Sequence, residues 1–177
     1  GRPFSFGFTG DANGDGVGNN DLFFIPGEGD VAFTTASSAA DRAAFRRYIE
    51  EVPYLRDNQG QVAERNAVQS PNTNQFDLRI SQDLPGFFGD NKAQVYLDIQ
   101  NVGNLINKDW GQIDEVGFPY NLAVARFAGV NASGQYIYDV STYVNETTGV
   151  ETFPLPGRRD TVGESRWSVQ VGFRYEF

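Results

Sequence analysis

The stretch that most restricts the fold is the last one, Ser165–Phe177. Trp167, Val169, Val171, Phe173, Tyr175 and Phe177 take its odd positions, and Ser168, Gln170, Gly172, Arg174 and Glu176 its even ones. Successive side chains of a strand point to opposite faces, so this period of two predicts a strand with one apolar and one polar face. Soluble strands usually run about five or six residues, whereas a tilted strand crossing a bilayer needs about nine to eleven. The length therefore points to a membrane-crossing strand, and its rings sit near both ends, as interfacial aromatic girdles do.

Composition does not oppose this. Hydrophobic content is 40% and mean hydropathy is -0.43, but half of each barrel strand faces a wet lumen, so hydropathy does not report such proteins. No run of eighteen apolar residues exists, which excludes a transmembrane helix. Fifteen Phe and eight Tyr among 177 residues, with frequent Gly, Asn and Asp, predict a β-rich chain with many turns. The net charge of -9 argues against a nucleic-acid partner, which needs cations to neutralise phosphates. Cysteine and histidine are both absent, and with them go disulfides, thiolate or imidazole metal sites and the usual general base. The opening Gly1-Arg-Pro-Phe-Ser-Phe-Gly-Phe8 has no signal-peptide organisation and looks like a strand interior, so the chain reads as a C-terminal portion of a longer product.

Asp11-Ala-Asn-Gly-Asp-Gly16 places oxygens at Asp11, Asn13 and Asp15 with a glycine sixth, the first half of an EF-hand or dockerin calcium loop. A loop turning around a hard cation points every second side chain inward. The second half departs from the pattern: Leu22 stands where a bidentate Glu belongs, so Asn19, Asn20 or Asp21 must substitute. The candidate metal residues are Asp11, Asn13, Asp15 and Asp21, with Ca2+ as the ion, and the alternative is an Asx-rich turn.

Ser37–Val52 reads as a helix, with Ser38 and Asp41 as a capping box, Pro53 as the stop, and Ala44, Phe45, Tyr48, Ile49 and Val52 as one stripe. Long strands are expected at Arg2–Phe8, Asn74–Leu84, Lys92–Val102, Tyr120–Ala128, Gln135–Tyr143 and Ser165–Phe177, with Asn145–Gly163 a polar loop. The connections between them alternate long and short, as extracellular loops and periplasmic turns do. Phe76, Leu78, Ile80, Ala93, Val95, Leu97, Ile99, Val169, Val171 and Phe173 are expected to face lipid. Asp77, Arg79, Asp98, Gln170 and Arg174 are expected to face the lumen.

Ala63-Glu-Arg-Asn66, Asn74-Gln-Phe-Asp-Leu-Arg-Ile-Ser-Gln82 and Leu97-Asp-Ile-Gln-Asn-Val-Gly-Asn-Leu-Ile-Asn-Lys-Asp-Trp-Gly111 together resemble the C-terminal barrel segment of TonB-dependent outer-membrane receptors, in particular the Oar-like branch. Gly10-Asp-Ala-Asn-Gly-Asp-Gly16, Asn20-Asp-Leu22 and Glu115-Val-Gly-Phe-Pro119 fit the same branch. The resemblance implies a large barrel with an internal plug, a periplasmic box for the TonB energy-coupling complex, and a terminal Phe that the barrel-insertion machinery recognises. Plug and box lie outside this sequence. The expected fold is thus all-β: residues 1–177 as the C-terminal part of an antiparallel transmembrane β-barrel of about six long strands, with 9–72 a long extracellular loop region holding one helix.

Two-edged incompleteness follows from the strand count. Six strands leave open edges, so the Arg2 strand is expected to pair with other polypeptide and the Ser165 strand with the barrel's first strand. The leading function is ligand binding and uptake at the Gram-negative cell surface without covalent chemistry, in contact with outer-membrane lipid and with the rest of the barrel and plug. The alternative is a secreted calcium-binding or adhesive β module. An acid-base hydrolase using Asp114 and Glu115 is the weakest reading, because no nucleophile or positioned base accompanies the pair.

Overall fold

The computed structural model describes residues 1–141, 143–144, 151–153, 157–158 and 165–177. Its elements begin with strands β1 (Pro3–Thr9), β2 (Phe24–Ile25) and β3 (Ala32–Phe33), then helices α1 (Ala39–Glu51) and α2 (Pro53–Asp57). Strands β4 (Gln61–Val62), β5 (Val68–Gln69), β6 (Leu78–Pro85) and β7 (Lys92–Gln100) lead to helix α3 (Val102–Ile106). After it come β8 (Asp114–Glu115), β9 (Asn121–Val130), β10 (Tyr136–Asp139), β11 (Tyr143–Val144), β12 (Glu151–Thr152), β13 (Gly157–Arg158) and β14 (Ser168–Glu176). The chain forms two compact units: the first is Gly1–Ser70 with Val116–Gly157, and the second is Pro71–Glu115 with Arg158–Phe177.

The first unit is built on a five-stranded sheet in the order β3-β10-β9-β1-β5. Strand β1 runs parallel to β9 and antiparallel to β5, while β10 runs parallel to β3 and antiparallel to β9. Phe4, Phe6 and Phe8 alternate onto one face of β1 and are buried. Helix α1 belongs to the same core, with Phe45, Tyr48 and Ile49 buried. The Phe45 ring meets Phe23, Phe33, Tyr138 and Phe153 edge-on, at centroid distances of 5.5 to 6.2 Å. Its N-terminus is closed by a reciprocal capping box, in which Ser38 Oγ accepts from the Asp41 N–H and the Asp41 carboxylate accepts from the Ser38 N–H. The opposite face of β1 is filled tightly. Ser5 Oγ accepts from the Asn66 N–H at 2.8 Å, and a Cβ at Gly7 would fall 2.1 Å from the Asn121 side chain.

The second unit contains an antiparallel sheet in the order β14-β7-β6. The register puts Leu78, Ile99 and Val169 in one row, Ile80, Leu97 and Val171 in the next, and Val95 beside Phe173 beyond them. Rows of the other parity hold Arg79, Asp98 and Gln170, then Ser81, Tyr96 and Gly172, then Asp83, Gln94 and Arg174. Here the Asn101-Val-Gly-Asn-Leu105 motif acquires a structural meaning. Asn101 adopts the left-handed conformation (φ 51°) ahead of α3, and its amide donates to the Gly111 carbonyl at 3.0 Å. The Asn104 amide donates to the carbonyls of Lys108 and Trp110. Two asparagines thereby satisfy the carbonyls of a loop that has no sheet or helix to do so.

The expected antiparallel transmembrane barrel of six long strands is overturned. The larger sheet is mixed, and neither sheet closes on itself. β1 alternates as a lipid-facing strand would, but α1 and the strands around it cover its phenylalanines, so that face is a core. Instead of awaiting a strand from other polypeptide, β1 lies between β5 and β9. The Gly129–Gly134 turn joins two strands of this mixed sheet, which removes the alternation of loops and turns as a guide to topology. The single expected helix is joined by two more: Pro53 sits in the first turn of α2, where its fixed φ and missing N–H fit, and Val102 starts α3. No helix among the described residues is long and apolar enough to cross a membrane, which says nothing about strands. The Asn145–Gly163 loop and Thr142 of the Gln135–Tyr143 strand fall wholly or largely outside the described residues.

Candidate functional site

The loop after β1 is held by its own side chains. Asp11 Oδ1 accepts from the N–H groups of Gly14 and Asp15, and Asp11 Oδ2 from that of Gly16 at 2.8 Å. Asn13 Oδ1 accepts from the Asp15 N–H, and Asp15 Oδ1 from the Val17 N–H. Asp21 Oδ2 reaches back to the N–H groups of Ala12 and Asn13, at 2.6 and 3.2 Å. The Val17 N–H and the Asn13 amide hold the Asp15 carboxyl below the ordinary carboxylate range. Gly14 and Gly16 take φ of 77° and 84°, which L side chains rarely adopt, and so let the loop curl around Asp11.

This geometry brings Asp11, Asn13 and Asp15 into one turn, and Asp21 closes the turn through the Ala12 and Asn13 N–H groups. Among the described residues, no three His, Cys, Asp or Glu side chains converge as a metal-ligand group. The turn fits a cation only in part: its side-chain oxygens already accept backbone N–H groups, although a carboxylate oxygen keeps a further lone pair after one such bond.

What the local pattern did not reveal is the cleft beside this loop. Asn13, Asp15, Asn20 and Asp21 line an open hollow of about 480 Å³. Phe8, Leu22, Phe24, Val62 and Tyr136 give it an apolar lining, and the exposed Arg65 lines it as well. Phe24 and Tyr136 meet edge-on at 5.8 Å. Arg65 and Tyr136 are distant from the loop in sequence, and no spacing rule joins them to it.

Neither adjacent acid pair is brought onto one face by its element. Asp114 and Glu115 are adjacent residues of β8 and so project to opposite sides, with Glu115 buried. Glu50 and Glu51 are exposed on α1, where Glu50 accepts from the Gln59 amide at 3.1 Å.

A second candidate surface is the β14-β7-β6 sheet. Val169, Val171 and Phe173, like Leu78, Ile80 and Val95, are exposed. The polar parity is knitted together: the Arg79 guanidinium stacks on Tyr96 at 4.7 Å and lies 3.4 Å from Asp98, and the Gln94 amide donates to Asp83. The Tyr96 ring occupies the space over Gly172. At one end stand Phe76 and Trp167; at the other, Tyr175 stacks on Phe87 and meets Phe177. The Tyr175 hydroxyl accepts from the Phe87 N–H at 3.0 Å and so fastens the turn.

Comparison with protein-family models, with curated proteins and with solved structures finds no match to this chain.

Proposed function

We propose that this chain is part of a TonB-dependent receptor of the bacterial outer membrane, serving ligand capture and uptake at the cell surface without covalent chemistry. The observation that carries the reading is the sheet β14-β7-β6, whose register gathers Leu78, Ile80, Val95, Val169, Val171 and Phe173 on one open face and the ionic groups on the other. Water is a poor neighbour for such a face, since each buried apolar side chain of this size gains about 1.5–3 kcal/mol over leaving it exposed. Lipid suits it as a cover, provided that other polypeptide pairs the open edges of β6 and β14. The rings at both ends of the sheet suit the two interfaces. The reading rests on these three strands and on the motif resemblance, and it brings with it the plug and the TonB energy-coupling complex as partners.

The absence of cysteine makes the test clean. Single cysteines at Val171 and Gln170, labelled with an environment-sensitive dye, are compared in short-chain phosphatidylcholine vesicles. A blue-shifted emission at position 171 and a water-like one at 170 are expected. Equal, water-like emission at both, in protein that stays dispersed without amphiphile, rules the reading out. That result favours the secreted module, to which the self-contained aromatic core of the first unit is suited.

Ca2+ is part of the proposal at Asp11, Asn13 and Asp15, on the strength of their spacing and of Gly16 in the sixth position. Calorimetric titration with CaCl2 is expected to give one site, lost in Asp15→Asn; no heat in either protein leaves the loop an Asx turn.

A further inference from the structure

We propose that the cleft beside the Asp11–Asp21 loop is a carbohydrate site for a neutral saccharide of one or two rings. The inference stands on the first unit alone and goes beyond the membrane reading. Three features of the cleft choose the ligand class.

The first is ring surface. Phe24 and Tyr136 line the cleft, are only partly buried and stand edge-to-face, so ring surface remains for the C–H face of a pyranose. The second is the mixture of polar groups around that surface. Asp21 only accepts, Asn20 donates and accepts, and Arg65 only donates. A simple cation has no use for Arg65 in the lining, and a simple anion is repelled by the acidic loop. Neighbouring hydroxyls need donors and acceptors side by side, and a neutral sugar uses the whole set.

The third is preorganisation. Asp21 is 8% exposed, and two backbone N–H groups fix its Oδ2, so the carboxylate is positioned before any ligand arrives and loses little freedom on binding. A hollow of about 480 Å³ falls within the range of small-molecule sites and has the usual plan of an apolar surface with a few placed polar groups.

Saturation-transfer NMR provides the test, on the protein in zwitterionic amine-oxide micelles, because a maltoside detergent would offer the site its own sugar. The probes are maltose, cellobiose and chitobiose, each at millimolar concentration, with choline as the organic-cation control. At least one disaccharide is expected to receive saturation on its ring protons, with binding weakened about tenfold or more in Tyr136→Ala and in Asn20→Ala. Asn20 is an exposed loop residue, so its variant keeps the test decisive if Tyr136→Ala disturbs the core. Silence from all three sugars, affinity unchanged in Asn20→Ala, or transfer to choline in place of the sugars overturns the proposal. The readout is independent of the dye labels at Val171 and Gln170, so failure of the membrane reading and failure of the sugar site are separately visible.

Discussion

Phe4, Phe6 and Phe8 of β1 retain at most 2% of their surface, whereas Val169, Val171 and Phe173 of β14 retain 46, 72 and 57%. Both strands alternate apolar and small or polar residues with the same period of two. The difference lies in what the rest of each unit supplies. The first unit brings α1 over its sheet, and Phe45, Tyr48 and Ile49 close the face. The second unit spends its helical residues on α3 and the Asn101–Gly111 loop, whose asparagines tie down backbone carbonyls and leave the face of β14, β7 and β6 open. Alternation tells which residues share a face; the cover is written elsewhere in the chain.

The largest expected effect separates the two units directly. Phe45→Ala removes a fully buried ring that touches four others, and a truncation of this kind costs about 3–5 kcal/mol. Phe173→Ala leaves no enclosed cavity, so in micelles it is expected to cost well under half as much. Urea unfolding of both variants measures this, and comparable losses would break the contrast between a covered and an open face.

Next in size is a charge placed on the open face. Val171→Arg sets a guanidinium near the middle of β14 and is expected to cost about 2–4 kcal/mol when the sheet lies in a bilayer. Gln170→Arg, one residue away on the polar face, is expected to cost close to nothing. The measurement is the folding equilibrium in vesicles, and equal costs at the two positions would remove the lipid from the comparison.

Legibility in the sequence follows the same division. Which residues of the second sheet share a face could be read from parity, because the register β6-β7-β14 keeps the rows in phase; Ala93, expected to face lipid, is instead buried. The α1 boundaries were legible because Ser38 and Asp41 act locally. The mixed sheet was not legible: parallel pairing of β1 with β9 joins residues more than a hundred positions apart, and no local pattern specifies it. The same physics hid the cleft, since Arg65 and Tyr136 reach the Asp11–Asp21 loop only through that tertiary arrangement. Loop chemistry was half legible, because the Asp11, Asn13 and Asp15 spacing is visible in one dimension while the engagement of those oxygens by backbone N–H groups is not.

The smallest expected effect concerns the ionic tie inside the first unit. Arg126 Nη2 and Nε donate to Asp139 Oδ2 at 2.7 and 3.2 Å, and Thr34 Oγ1 donates to Oδ1 at 3.2 Å. The Ser37 hydroxyl lies at 3.5 Å from the same Oδ1 and also accepts from the Val140 N–H, so the carboxylate links β9 and β10 to the segment leading into α1. Arg126 first, and then the Thr34 and Ser37 hydroxyls, hold the Asp139 carboxyl below its ordinary value of 3.8. A carboxyl whose folded value is depressed stabilises the folded state above the ordinary value, and that contribution is lost as pH falls through the ordinary value and on past the depressed one. Asp139→Asn is therefore expected to be less stable than the parent near neutrality and to converge with it as the medium is acidified. Because the Arg126 side chain is 60% exposed, water and salt screen the pair, and the gap at neutrality is expected to be about 1 kcal/mol or less. Urea midpoints of the two proteins from pH 7 down to the acid limb measure the gap. A gap that stays constant across the titration would mean that Asp139 acts through shape alone and that the first unit, like the apolar face of the second, is held without charge.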